Sequence, residues 1–268
     1  MAKIITFGLQ KGGVSKTTTT GITSFLLSKN YKVLAVDMDS QGNLTELLAN
    51  QSANNFLNHS VFEAIAHKEP KKYIYKINSN LDLLPSNNFL ANYAKWLYTY
   101  ELPHTEKGII SAPFKGDGSI QLKKTLDIIK SNYDFILIDT PPALSEQTTS
   151  SLLASDYVVV LYEASKFCYS AIPNFMETVN YVQSLTELKI LGILRTLSDG
   201  RRKDVHFFNR MIENDYPKLV FDTIISRRAS IGRIPLNSFK DNPELESALT
   251  QFKVFYSELI ERLKEIDN

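Results

Sequence analysis

Eight consecutive residues near the start of the chain, Lys11-Gly12-Gly13-Val14-Ser15-Lys16-Thr17-Thr18, have the composition of an anion cradle. Glycines let backbone N–H groups converge on one point, lysine supplies a point charge, and a hydroxyl at a helix start offers a hard oxygen to a divalent cation. Phosphate is the ligand that uses all three. The strict phosphate-loop pattern G-x-x-x-x-G-K-[ST] is not met, because Gln10 and Ser15 stand where its two glycines belong. What remains is K-G-G-x-x-K-T, with one lysine at the head of the loop and another at its end. If position 15 requires a positive φ, serine is strained there.

Three carboxylates recur at the ends of apolar runs. Asp37 and Asp39 lie in Val36-Asp37-Met38-Asp39-Ser40-Gln41-Gly42-Asn43, and Asp139 follows Phe135-Ile136-Leu137-Ile138. A carboxylate at the end of a buried strand is costly unless something there uses its charge. Asp139, at the end of its apolar strand, is such a carboxylate. Asp37 serves equally well as a cap for its strand end or the following turn.

The elements that would carry these residues follow from the apolar runs. Lys3 to Gly8, Lys32 to Asp37, Asp134 to Asp139, Asp156 to Tyr162, Lys189 to Leu194 and Leu219 to Ile225 are rich in Ile, Val and Leu without polar alternation. Strands buried on both faces read this way. Helical spacing falls between several of them, with Ile22, Phe25 and Leu26 after the glycine loop and Leu122, Leu126 and Ile129 before the Asp134 strand. The alternation predicts an α/β fold, a mostly parallel twisted sheet with helices on both faces. One compact domain over residues 1–268 is expected, with a loop-rich insertion at about 93–118. That stretch mixes Tyr93, Trp96, Tyr98, Tyr100, Pro103 and Pro113 without a clear period, and its aromatics read as satellite core packing on a short helix, with a lid or docking role as the alternative. A last helix carries Leu245, Ala248, Phe252, Phe255, Leu259 and Leu263 at three- and four-residue steps. Its polar side mixes Glu and Lys, which suits packing on the sheet better than lying on a membrane.

Composition removes several classes of function. The longest uninterrupted apolar run, Tyr157 to Tyr162, is a strand's length and far short of a membrane span, and no secretory leader is legible at the N-terminus. A cytoplasmic protein is expected. The single cysteine, Cys168, has no disulfide partner, and the four histidines have no metal-ligand spacing with it. A net charge of +1 rules out a globally basic nucleic-acid binder, so any such contact must be local.

The loop, the Val36–Asn43 segment and the Phe135–Pro142 segment together resemble the three motifs of the ParA/MinD group of P-loop ATPases: the deviant Walker A loop, a D-x-D-P-Q-G-N segment with Ser40 in place of the proline, and the Walker B strand. The resemblance implies ATP and Mg²⁺ as cofactors, bound by Lys11, Gly12, Gly13, Val14, Ser15, Lys16, Thr17 and Thr18. It gives Lys16 the β- and γ-phosphates and makes Thr17, Asp39 and Asp139 the magnesium shell, with Asp139 acting through a metal-bound water. Asp39 would also orient the attacking water. Lys11 is the group's signature lysine, implied to reach across an ATP-dependent homodimer to the partner's phosphates, so that Lys11, Lys16 and Asp39 are the implied catalytic set.

Within the group, the ParA branch partitions plasmids and chromosomes by binding nonspecific DNA as an ATP dimer, and the MinD branch uses a C-terminal amphipathic helix on membranes. The iron protein of nitrogenase needs two cysteines per subunit, which this chain lacks. A tyrosine-kinase-like relative would carry a C-terminal tyrosine cluster, and after Tyr216 only Tyr256 remains. From Arg195 to Lys240 ten lysines and arginines face five acids, the local excess that phosphate contacts require. Ser198-Asp199-Gly200-Arg201 and Ile224-Ile225-Ser226-Arg227-Arg228 resemble ParA segments that end in DNA-contacting arginines. Arg201, Arg202, Lys203, Arg227, Arg228 and Arg233 are the implied DNA contacts, with Ser230 standing where the family often has an arginine. The resemblance is to small members of the family, without an N-terminal helix-turn-helix domain before the loop. It implies a nucleoid-associated DNA partition ATPase with a ParB-like partner and no membrane contact; the alternatives are a MinD-like positioner on membranes and a ParA-like positioner of a protein cargo.

Overall fold

The computed structural model describes residues 2–99, 118–199, 201–231, 234, 239 and 245–267. Its centre is an eight-stranded sheet: β1 (Lys3–Gly8), β2 (Val33–Asp37), β3 (Tyr75–Lys76), β4 (Leu81–Leu84), β5 (Phe135–Asp139), β6 (Tyr157–Glu163), β7 (Lys189–Ser198) and β8 (Val220–Ser226). The spatial order is β3-β4-β2-β5-β1-β6-β7-β8, and every neighbouring pair is parallel except β3 with β4.

Nine α-helices connect or flank the strands: α1 (Lys16–Leu27), α2 (Asn43–Ala49), α3 (Val61–His67), α4 (Tyr93–Thr99), α5 (Gln121–Asp127), α6 (Glu146–Ala154), α7 (Lys166–Gln183), α8 (Lys203–Asp215) and α9 (Leu245–Asp267), counted among the described residues. Strand residues alternate between two cores. Ile5, Phe7, Val33, Ala35, Phe135 and Leu137 face one, which includes Ile22 and Leu26 of α1 and Phe252, Phe255 and Leu259 of α9. Ile4, Leu34, Val36, Ile136 and Ile138 face the other, with Phe62 of α3, Trp96 of α4 and Leu122 and Leu126 of α5. Two apolar faces explain why the strands read as continuous apolar runs rather than alternating ones.

The six strands expected from sequence are present within a few residues of their predicted limits; β7 runs on to Ser198. β3 and β4 are additions to the expected set. β4 is only Leu81-Asp82-Leu83-Leu84, and its one polar residue hides the run, although Asp82 is accounted for by the Tyr133 hydroxyl, which donates to it at 2.8 Å. The stretch from Tyr93 starts with the short helix expected to carry its aromatics rather than with loop. Tyr93, Trp96 and Leu97 stand at i, i+3 and i+4, so α4 forms and all three are buried against α3, where Phe62 meets the Trp96 ring edge-on at 5.7 Å. These aromatics pack the core, whereas Tyr98 is exposed and donates to Glu146. Residues 100–117, with Tyr100, Pro103 and Pro113, lie outside the described residues. α9 buries Leu249, Phe252, Phe255, Leu259 and Leu263, the sheet-packing face expected of it.

Candidate nucleotide site

The carboxyl ends of β1, β2 and β5 converge because β5 lies between β1 and β2 in the sheet. Chain segments leaving neighbouring strands in different directions open a crevice there, the usual place for a ligand in an open α/β sheet. The loop of residues 9–15 leaves β1 at Gly8. A Cβ on Gly8 would stand 2.6 Å from the Phe175 ring, so α7 presses directly on the loop's root.

Two left-handed residues shape the loop. Gly13 sits at φ +80°, where glycine is unstrained, and Ser15 at φ 59°, where a side chain is not. The strain expected at position 15 is thus present. Ser15 is also the residue before α1, and its side chain makes no cap hydrogen bond to that helix. The first N–H groups of α1 therefore remain available to an anion, at the positive end of the helix dipole. The loop is tied down from behind. Val14 is fully buried, and its carbonyl accepts a hydrogen bond from the Thr196 hydroxyl of β7 at 3.0 Å. Nothing in the sequence flags Thr196, which lies far down the chain and belongs to no motif.

Lys16 is nearly buried, and its Nζ donates to the Lys11 carbonyl at 2.7 Å. Burial pushes its pKa below the ordinary lysine value, and the nearby Asp139 and Asp39 oppose that shift. Thr17 donates its hydroxyl to Asp139 Oδ2 at 2.7 Å. The other oxygen, Oδ1, is buried with no hydrogen-bond partner among the described residues. Burial first, and then the Asp37 carboxylate beside it, hold the Asp139 pKa well above the usual carboxylate range. A hydroxyl beside a buried carboxylate with an unsatisfied oxygen is a donor set for a hard divalent cation, whose charge would relieve both deficits. The residues present thus fit Mg²⁺.

Asp37 and Asp139 are register partners across β2 and β5. Asp37 is fully buried and accepts the Asp39 N–H at 3.1 Å and both the N–H and hydroxyl of Thr45 at 2.8 Å. It ties the strand end to α2, the capping role open to it from sequence. Burial outweighs those bonds and pushes its pKa up to about 7. Asp39, also buried, accepts the Gln41 N–H on one carboxylate oxygen at 3.0 Å. Lys11 is half-buried, with its Nζ 5.8 Å from the centroid of the exposed Phe167 ring.

A family model described as an AAA domain matches residues 2–191. The chromosome-partitioning ATPase Soj of Treponema pallidum is 32% identical over 238 residues, covering 88% of this chain and 87% of the relative. The chain belongs to the ParA family of P-loop ATPases. A plasmid partition protein of Borrelia burgdorferi bound to AMPPNP superimposes with a TM-score of 0.73 at 28% identity, covering 98% of each chain. McdA of Cyanothece, in its apo form, reaches a TM-score of 0.79 at 25% identity, covering 98% of this chain and 100% of that one. The α/β fold expected from sequence is the fold of these ParA-like neighbours, and the AMPPNP held by the Borrelia protein agrees with the ATP expected of the loop.

The ParA-type basic region is less uniform in three dimensions than in sequence. Arg195 is not on the surface at all. It is 7% exposed, its guanidinium donates to the carbonyls of Phe221 at 2.9 Å and Asp222 at 3.3 Å, and it is paired with Glu213. It holds β7, β8 and α8 together, so the number of surface cations expected from sequence is corrected by one. Arg201 projects into solvent, its side chain 93% exposed with Asp199 at 3.2 Å. Arg202 pairs with Asp204, Arg227 reaches Glu163 at 3.3 Å, and Arg228 donates to the Ser247 carbonyl at 3.3 Å. Lys203 is exposed at the start of α8. Arg233 lies outside the described residues. Among the described residues, no helix is long and apolar enough to cross a membrane.

Proposed function

We propose that this chain is a DNA partition ATPase, acting as one ATPase domain that dimerises around ATP, binds nonspecific DNA in that state, and leaves it after hydrolysis stimulated by a ParB-like partner. The observation that carries the ATPase part is the Thr17–Asp139 hydrogen bond beside the unpartnered Asp139 Oδ1.

In this reading the Lys16 ammonium leaves the Lys11 carbonyl and takes the β- and γ-phosphates, whose charge offsets its cost of burial. The N–H groups of residues 12–18 and the start of α1 hold the phosphate oxygens. Thr17 and Asp139 would hold Mg²⁺, with Asp39 at the edge of its shell. When bound, the cation neutralises charge developing on the transferred phosphoryl group. Asp39 orients the attacking water with the carboxylate oxygen that its turn leaves free. Lys11 projects from the loop and gives its charge to the nucleotide of the opposite protomer.

A chromosome-partitioning ATPase and a plasmid partition protein among the relatives support DNA as the track, as does the basic surface from Arg201 to Arg228. α9 turns its apolar face to the sheet rather than outward, which favours DNA over a membrane surface. Association with the nucleoid follows. The test is ATP turnover and self-association of three proteins. Wild type should hydrolyse ATP and dimerise with it, Lys16→Ala should bind no nucleotide, and Lys11→Ala should bind ATP yet lose turnover. Full turnover in Lys11→Ala would remove that lysine from the mechanism.

A further inference from the structure

The exposed face of α8 carries two cations that face no acid, whereas Arg201, Arg202 and Arg227, assigned to DNA from sequence, each face a carboxylate. Two of its three acids are paired with arginines, Asp204 with Arg202 and Glu213 with Arg195, and the third, Asp215, accepts the Tyr169 hydroxyl on a different side of the helix. Lys203 and Arg210 are exposed and, among the described residues, neither is paired with an acid. At 100° per residue Lys203, Phe207, Arg210 and Asn214 fall within one sector about 60° wide, a stripe that contains no acid. Phe207, between the two cations, is 52% exposed. The helix cannot roll to hide that ring. Val205 and Ile212 are buried on its opposite side, and the Phe208 carbonyl accepts from the Tyr162 hydroxyl at 3.1 Å.

A cation already facing a carboxylate releases little on meeting a phosphate, whereas an unpaired one contributes in full. Arg202 and Arg227, both paired, are therefore poorer phosphate contacts than Lys203 and Arg210. We propose that the Lys203–Phe207–Arg210 stripe of α8 is a principal duplex-DNA contact of this protein, with the two cations on backbone phosphates and the Phe207 ring packed on the sugar edge between them. This rests on the DNA-binding reading above and names the surface that performs it. One aromatic between two cations is too little apolar area to hold a helix in a bilayer, which favours DNA over lipid.

The experiment is binding of the full chain, with ATP and Mg²⁺, to random-sequence duplex DNA across a salt series. Lys203→Ala/Arg210→Ala is expected to flatten the slope of log K against log salt by about 0.9 for each phosphate no longer neutralised. Phe207→Ala is expected to weaken binding roughly four- to twelvefold at every salt concentration with the slope unchanged, the worth of covering the exposed part of one phenylalanine. Phe207→Leu should recover most of that loss. ATP affinity should match wild type in each variant, and the double cation variant should keep the wild-type melting temperature, since Lys203 and Arg210 are exposed. If wild type binds DNA and the double variant keeps its full slope, the stripe is refuted while the DNA reading stands. If wild type binds no DNA, both fall. If the variants instead lose binding to anionic phosphatidylglycerol vesicles, the stripe faces lipid and the proposal is overturned.

Discussion

Thr17 donates its hydroxyl to one oxygen of Asp139 at 2.7 Å, while the other oxygen of the same carboxylate is buried without a partner among the described residues. The two residues come from the first and last of the three motifs, one opening α1 and the other closing β5. Their meeting turns two separate sequence patterns into a single half-built cation shell. The consequences are testable one residue at a time.

Ser15 holds a left-handed backbone at φ 59° that glycine adopts without strain. Ser15→Gly should stabilise the nucleotide-free protein by about 1 kcal/mol, raising Tm by roughly 2–3 °C in a chain of this size. Differential scanning calorimetry at fixed pH checks it. A lower Tm would mean that the weak 3.5 Å contact between the Ser15 and Thr19 hydroxyls matters more than the backbone.

Thr196 supports the loop through the Val14 carbonyl. Thr196→Val keeps the shape and removes the donor, which should weaken ATP binding about three- to tenfold, the usual worth of one hydrogen bond. Calorimetric titration with ATP and Mg²⁺ measures it; unchanged affinity would make Thr196 a packing residue only.

Asp37 takes up a proton at about pH 7 in the fold, against an ordinary carboxylate value near 3.8. Between those values the folded chain holds a proton that the unfolded chain has released, so stability falls as pH rises through the window and the contribution is gone above about pH 7. The nucleotide-free wild type should lose roughly 2–4 kcal/mol on going from pH 5 to pH 8 through this group. Asp37→Asn has no proton to lose. Its missing acceptor oxygen lowers stability by a constant amount, so chemical denaturation across pH should show a shallower fall than in wild type. Parallel curves would contradict the assignment.

Asp39 sits where a water could be oriented but does not hold the loop, since it accepts from Gln41 and Gly42 in its own turn. Asp39→Ala should therefore bind ATP within a few-fold of wild type and lose turnover by about a hundredfold or more. The dimer would then persist on DNA, seen as slow dissociation after a salt jump. ATP turnover at the wild-type rate would assign the water to another group.

Much of this site was legible in the sequence because its parts are local. A glycine loop, a lysine and a threonine within eight residues declare themselves, and so do carboxylates at the ends of apolar strands. The fold class was legible for the same reason, since strands buried on both faces leave uninterrupted apolar runs. What was hidden depends on distant partners. Thr196 touches Val14 only because β7 is placed by the sheet order. Arg195 looks like any surface cation until the carbonyls of β8 close around it. Two of the α8 acids, Asp204 and Glu213, look free to cancel its cations until Arg202 and Arg195 have paired with them. β3 and β4 escaped because four residues with an aspartate among them carry too little pattern to separate from a turn.

The most direct test of the DNA partition reading is binding of the purified protein to random-sequence duplex DNA, and in parallel to anionic liposomes, with no nucleotide, with ADP and with ATP plus Mg²⁺. Salt-sensitive DNA binding that requires ATP and is absent in Lys16→Ala, without liposome binding, is the expected result. DNA binding indifferent to nucleotide, or liposome binding in place of DNA binding, would contradict it.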